Sequence, residues 1–169
     1  LAQLGAWEYD LTTGELQWSD EVLRIFGLAG QRMARGLPAL LERVAFDDRQ
    51  RVQEAHHRLH AGEGDIDLEY KVLRPDGDTR TVREIGTLVR DDQGQPLFAA
   101  GAVQDITDRR RSEDALRELT RRLEQSLVLN RLVMDNSLDV ICAIDANGRF
   151  SQVSAASATV WGYPPNELL

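Results

Sequence analysis

The densest set of chemically capable side chains is His56-His57-Arg58-Leu59-His60. On a helix, His56 and His60 stand one turn apart on one face, and two imidazoles so placed could both ligate a metal. A zinc site needs one or two further ligands and hydrogen-bonded groups behind them. Nothing in the sequence places those, and cations are favoured at a helix end in any case. The histidines are therefore read as structural, and no metal is assigned. Cys142 is the single cysteine. It cannot pair within the chain, which fits a reducing compartment, and it reads as a small buried apolar residue. There is no Gly-x-Ser-x-Gly and no glycine-rich phosphate loop. The carboxylates fall in turns, caps and exposed strand positions. No constellation supports nucleophilic or acid–base catalysis, so the chain is expected not to be an enzyme.

Charge and hydropathy narrow the partners. A formal charge of −8 argues against nucleic acid. The basic cluster Arg109-Arg110-Arg111 reads as a solvated helix start. A hydrophobic share of 42% beside 28% charged residues is that of a globular chain, which excludes disorder. The longest apolar run, 98–103, is far below the ~18 residues of a membrane span. There is no basic-then-apolar leader and no initial Met, so the sequence reads as an interior piece of a longer, cytoplasmic protein.

The elements that must position these residues follow from periodicity. Leu4–Asp10 reads as a strand, Thr12-Thr13-Gly14 as a turn and Leu16–Trp18 as the returning strand. Ser19 can cap a helix whose buried face is Val22, Ile25 and Phe26, ended by Gly27 and Gly30. Pro38 suits the first turn of a short helix over 39–44. Asp47 and Gln50 have capping-box spacing, which starts a longer helix running through Val52 and His56 to about Ala61, stopped by Gly62 and Gly64. From 65 to 72 apolar residues alternate strictly, the mark of a half-exposed strand. Pro75-Asp76-Gly77-Asp78 turns the chain into a strand over 79–90, and Asp91-Asp92-Gln93-Gly94 into a last one over 96–106. The layout is α+β: short helices on one face of a five-stranded antiparallel sheet, followed by a long coiled-coil helix.

The sequence also repeats itself. Asp10 and Asp145, Ser19 and Ser154, Phe26 and Trp161, and Gly27 and Gly162 are each 135 residues apart. The Gly turns between them differ by one residue. The same unit therefore starts twice, and the visible second copy is too short to bury a core alone.

These residues resemble a PAS domain with its C-terminal PAC motif. The likeness lies in Gly5-Ala6-Trp7-Glu8-Tyr9-Asp10, Trp18-Ser19 through Phe26-Gly27, Glu69-Tyr70-Lys71, Arg74-Pro75-Asp76-Gly77 and Gly101 through Asp105-Ile106-Thr107. The second copy is similar through Ser137, Asp139, Ile141, Asp145 to Gly148, Phe150, Val153-Ser154, Gly162-Tyr163 and Glu167-Leu168. The resemblance divides the chain into a PAS/PAC domain over 1–107, a helical linker over 108–134 and the start of a second PAS domain over 135–169. Many relatives have Val-His-Pro-Asp-Asp before the long helix. Here it is Val44-Ala45-Phe46-Asp47-Asp48, with Phe46 expected to pack where the Pro would sit.

The resemblance implies a ligand pocket between the long helix and the inner sheet face, lined by Val52, Ile66, Leu68, Phe98 and Ala100. The small run Ala99 to Ala102 leaves room for a ligand, or lets Phe26, Phe46 or Trp18 pack close. The packed core is preferred, since interiors fill their volume. Which cofactor, if any, is unknown. Oxygen-sensing relatives place the proximal haem His on this helix at the position of Val52, with His56 one turn further on, so haem is not favoured. Flavin–cysteinyl photochemistry needs Gly-x-Asn-Cys-Arg-Phe-Leu, which is absent.

The linker has no Pro or Gly. Leu116, Leu119, Leu123 and Leu127 step by three, four and four, a narrow stripe flanked by mixed charges. Such a stripe suits a two-helix seam, here a parallel homodimer, with Asn130 near a core position or facing solvent. The implied function is a sensory and signal-relay segment, as in bacterial sensor histidine kinases and diguanylate cyclases. Asp105, Ile106 and Thr107 would couple the last strand to the helix and on to a downstream signalling domain of the same protein. The alternative is a ligand-free PAS dimerisation spacer, and a metal-dependent site at His56 and His60 ranks below both.

Overall fold

The computed structural model describes residues 4–30 and 36–169. The chain divides into two compact units, Leu1–Arg111 and Ser112–Leu169.

The first unit opens with strands β1 (Leu4–Asp10) and β2 (Leu16–Trp18), paired as a hairpin. Asp10 makes the turn, its carboxylate accepting from the N–H groups of Thr12 and Thr13. Three helices follow: α1 (Asp20–Ile25), α2 (Leu37–Arg43) and α3 (Phe46–Ala61). Then come β3 (Ile66–Leu73), β4 (Thr79–Arg90) and β5 (Pro96–Asp105). The sheet order is β2-β1-β5-β4-β3, antiparallel throughout, so the last strand closes against the first. This is the expected α+β sheet.

Alternation decides which side chains enter the core. Trp7, Tyr70, Val72, Val82, Ala99 and Val103 face the helices and pack with Val22, Ile25, Phe26, Val52 and Leu59. Burying each large apolar side chain is worth roughly 1.5–3 kcal/mol before entropy is counted. Ser19 does cap α1: its Oγ accepts from Val22 N–H at 3.5 Å and also from Ala6 N–H at 3.0 Å, tying the helix to β1.

Three expectations change. Helix α3 is capped by the backbone of Ala45, not by an Asp47–Gln50 box. Ala45 N–H is held by Lys71 O and Val44 bridges Val72, so contact with β3 sets where the helix starts. Gln50 reaches forward to Glu54 instead. Phe46 packs against nothing comparable to a core, being 81% exposed. Finally, Phe98 and Ala100 leave the expected pocket: β5 buries Ala99 and Val103, which turns 98, 100 and 102 to the opposite face.

Helix α4 (Thr107–Asn136) is continuous and about 45 Å long at 1.5 Å per residue. Its residues from Ser112 onward belong to the second unit, with β6 (Cys142–Ile144), β7 (Phe150–Val153), α5 (Ala156–Val160) and α6 (Pro165–Leu168). This unit repeats the hairpin of the first and the bond that ties it to the following segment, though α5 has no side-chain cap of the kind Ser19 gives α1. Ser154 Oγ accepts from Ile141 N–H at 2.9 Å, as Ser19 does from Ala6. Asp145 accepts from Asn147 and Arg149 N–H across its turn, as Asp10 does from Thr12 and Thr13. The second turn is one residue shorter, and a bulge between Ala143 and Ile144 restores the register. Cys142, opposite Val153, therefore holds the place of Trp7, opposite Trp18. It is exposed rather than buried, because the sheet and long helix that cover Trp7 have no counterpart among the described residues of this unit.

Candidate functional site: a buried polar trio and the root of the long helix

Helix α3 carries Val52, His56 and Leu59 on the face it buries. Against His56 stands Glu84, which occupies an inward position of β4 between Val82 and Gly86. Both are 2% exposed. Tyr70, inward on β3, donates its hydroxyl to Glu84 Oε2 at 2.8 Å. His56 Nε2 lies 3.3 Å from Glu84 Oε1, within ion-pair reach but off the line of a hydrogen bond. Burial, followed by the Glu84 charge, raises the Tyr70 hydroxyl well above the usual tyrosine range, so it stays protonated and donating.

Trp7 closes the other side of this trio. Its ring lies 5.8 Å from that of His56. A side chain at Gly86 or Gly101 would come within 2.5 or 2.6 Å of the Trp7 indole. The small residues of β5 and β4 thus make room for Trp7, not for Phe26, Phe46 or Trp18. The interior bounded by Trp7, Trp18, His56, Tyr70 and Glu84 has no space for a water molecule. His60 stacks on Tyr9 at 4.0 Å and 12°. Its pKa is lowered from 6.5 to about 4, first by burial and then by the charges of His56 and His57.

Of the expected pocket residues, Val52, Ile66 and Leu68 belong to the core or pack on it. Ala100 lines a shallow groove of about 430 Å³ on the outer sheet face with Asp67, Ile85, Thr87 and Ala102. As for His56 and His60, their ring centroids are 6.0 Å apart and the two rings face different partners. No group of three metal-ligating side chains stands together among the described residues.

The expected coupling residues Asp105, Ile106 and Thr107 meet at the root of α4. Thr107 Oγ1 accepts from Thr81 N–H at 2.9 Å and donates to Asp105 Oδ1. Ile106 N–H donates to Thr81 O at 2.9 Å. Both backbone polar groups of Thr81, its N–H and its C=O, are thus engaged by the corner where β5 becomes α4. On β3, Glu69 faces outward and accepts from Arg110 Nε at 2.8 Å and from Arg109. This corrects the reading of the arginine cluster as merely solvated: two of its members fasten α4 to the sheet.

Sequence reasoning missed Glu84, Glu69 and Thr81. The signal for Glu84 was present: in Val82-Arg83-Glu84-Ile85-Gly86 it shares the parity of Val82, the buried face. Glu69 had no such signal, because its partners are 40 and 41 residues away.

The frame of this site is an α+β unit with a 2-1-5-4-3 antiparallel sheet, helices on one face and a helix leaving the last strand. The profile of the PAS fold family matches residues 15–103, and the chain belongs to that family. It is 28% identical over 166 residues to the sensor protein FixL of Bradyrhizobium diazoefficiens, covering 98% of this chain and 31% of that protein. With a blue-light-activated histidine kinase of Brucella anthropi it shares 26% over 142 residues, covering 82% and 28%. The chain thus spans about a third of the length of these relatives. Among solved structures, a sensory box histidine kinase/response regulator from Burkholderia thailandensis matches with a TM-score of 0.58 and 30% identity, over 73% of this chain and 92% of that one. The N-terminal domain of a diguanylate cyclase with PAS/PAC sensor from Marinobacter aquaeolei shares the fold, with a TM-score of 0.56 at 20% identity over 63% and 98%.

The residues do not fit a haem. Val52, at the position where the resemblance would put a ligating His, offers no donor atom, Glu84 Oε1 stands 3.3 Å from His56 Nε2, and Trp7 fills the space beside it. Among the described residues no helix is long and apolar enough to cross a membrane.

Proposed function

We propose that this chain is a sensory and signal-relay segment of a cytoplasmic multidomain signalling protein, with a histidine kinase or cyclic-dinucleotide enzyme as its output. The observation that carries this is the seating of α4. Its first turn is bonded to Thr81 of β4 and Glu69 of β3. Those same strands present Glu84 and Tyr70 to the buried trio on their other face. A change in the core that moves either strand therefore moves the root of the helix.

Beyond its root, α4 exposes Leu116, Leu119, Leu123 and Leu127, each 59–65% accessible in the single chain. A helix of this length with one apolar seam is best stabilised by a second copy of itself. Glu118, bound to Arg121 and Arg122, flanks the seam. We assign a parallel homodimer, with the hairpin repeated in the second unit beginning the next PAS domain. The relay tilts or rotates the helix pair, a two-state element biased from one end.

Sedimentation equilibrium of the full chain tests this reading. The wild type is expected to be dimeric, and Leu119→Pro monomeric with its first unit still folded by tryptophan fluorescence. A monomeric wild type, or a dimeric Leu119→Pro, overturns it. The filled interior favours a second reading, in which the first unit is a ligand-free dimerisation spacer. Native mass spectrometry separates the two: added mass on each protomer supports a ligand-binding sensor, and bare dimers support the spacer.

A further inference from the structure

We propose that His56 and Glu84 form a buried proton-binding site whose occupancy sets the seating of α4 on the sheet. The ligand is a proton exchanged between the His56 imidazole and bulk water.

The geometry leaves few places for that proton. Glu84 Oε2 is already an acceptor for the Tyr70 hydroxyl, so the carboxylate directs its other oxygen at His56 Nε2. With a proton on both imidazole nitrogens the buried pair is neutral overall. With one proton lost, the Glu84 charge is left with the Tyr70 hydroxyl as its remaining partner in a water-free interior. Breaking a buried pair in this way is strongly unfavourable. The strain is relieved when α3 and β4 separate or when Glu84 itself takes up a proton. Present geometry, at 3.3 Å and out of line, leaves the contact free to tighten or open.

The groups that face this pair are few. From β3 there is Tyr70, and from α3 itself His60, whose ring centroid is 6.0 Å from that of His56. Strand β1 brings the uncharged Trp7, with Tyr9 stacked behind His60. From α1, α2 and β5 come Val22, Phe26, Leu40 and Val103, none of them ionisable. His60 is held neutral by its own burial, and His57 points to solvent. His56 is therefore the imidazole whose charge the core feels.

Coupling outward follows from sequence neighbours. Glu84 lies three residues from Thr81, whose N–H and C=O hold Thr107 and Ile106. Tyr70 is adjacent to Glu69, which holds Arg109 and Arg110. The proton site stands on this geometry; only its effect on α4 rests on the relay reading above.

A pH titration of the full chain followed by NMR tests it, using the His56 ring signals and the amides of Thr81, Ile106 and Thr107. The expected result is one His56 transition in the folded protein, with the three amides shifting at the same midpoint. Glu84→Gln, which keeps the Tyr70 contact, is expected to lower that midpoint by at least one unit, a tenfold loss of proton affinity. Absence of a His56 transition in the folded protein overturns the site, and so does an unchanged midpoint in Glu84→Gln. A His56 transition with silent amides overturns the switch. Should Glu84→Gln fail to fold, the wild-type titration decides alone. Sedimentation on the same samples keeps the relay reading separate, since a dimer with no coupled transition refutes the proton switch and leaves the dimer intact.

Discussion

Trp7 is the residue on which the first core closes, and two glycines make its position possible. A methyl at Gly86 would sit 2.5 Å from the Trp7 ring, closer than real contacts allow. Gly86→Ala is therefore expected to destabilise the first unit by about 1–3 kcal/mol, the usual range for overpacking. Trp7→Phe in the Gly86→Ala background should recover part of that loss, which urea unfolding of the two single variants and the double variant would measure as a coupling. Additive losses would mean the indole does not lie against Gly86. His60 supplies a second prediction. Its folded pKa of about 4 is below the ordinary 6.5, so between those values the unfolded chain binds more protons than the folded one. Stability of the first unit should fall as pH drops from 6.5 toward 4. His60→Phe, which keeps an aromatic ring on Tyr9, should flatten that slope. Asp10 and Asp67 do not confuse the reading, since hydrogen bonds lower both below 3.8 and their contribution is lost at more acid pH.

At the scale of elements, the decisive junction is three peptide units long. Thr107→Val preserves shape and removes the hydroxyl that accepts from Thr81 N–H and donates to Asp105. Two bonds worth about 0.5–1.5 kcal/mol each are lost. Hydrogen exchange at Thr81 and over 107–111 should quicken, with the amides of β1 unchanged. Uniform acceleration across the sheet would instead show that Thr107 supports the whole fold. Periodicity exposed these elements in the sequence wherever apolar and polar residues alternate cleanly. It fixed the limits of β1, β2 and β4 and the inward parity of Val52, Ile66 and Leu68. It failed on β5, where Ala99, Ala100, Gly101 and Ala102 are small on both faces and parity carries no contrast. There Val103 and the bulk of Trp7 choose the inward set, and Trp7 is nearly a hundred residues away in sequence. The start of α3 was misplaced for a similar reason: Asp47 has capping chemistry, but the bond from Ala45 N–H to Lys71 O is tertiary and leaves no local trace.

At the scale of the whole molecule, the two units share one local design and differ in what covers it. The 135-residue repeat was readable because the Asp turn and the Ser that ties back to the hairpin depend on single residues at fixed offsets. Which surfaces pair between chains is less legible, since an exposed leucine has the same identity whether a partner covers it or not. The heptad spacing supplies the missing constraint. Leu116, Leu123 and Asn130 are seven residues apart, which puts Asn130 in the row of two leucines that face the seam. A buried Asn pair costs stability and fixes register. Asn130→Leu is accordingly expected to tighten the dimer by an order of magnitude or more while admitting higher oligomers or shifted pairings. Sedimentation equilibrium at several loading concentrations reads both effects. If affinity and stoichiometry are unchanged, Asn130 faces solvent and the seam turns away from it before the end of α4. The pairing would then rest on Leu116, Leu119, Leu123 and Leu127 alone, and the relay would act through the helix only as far as Leu127.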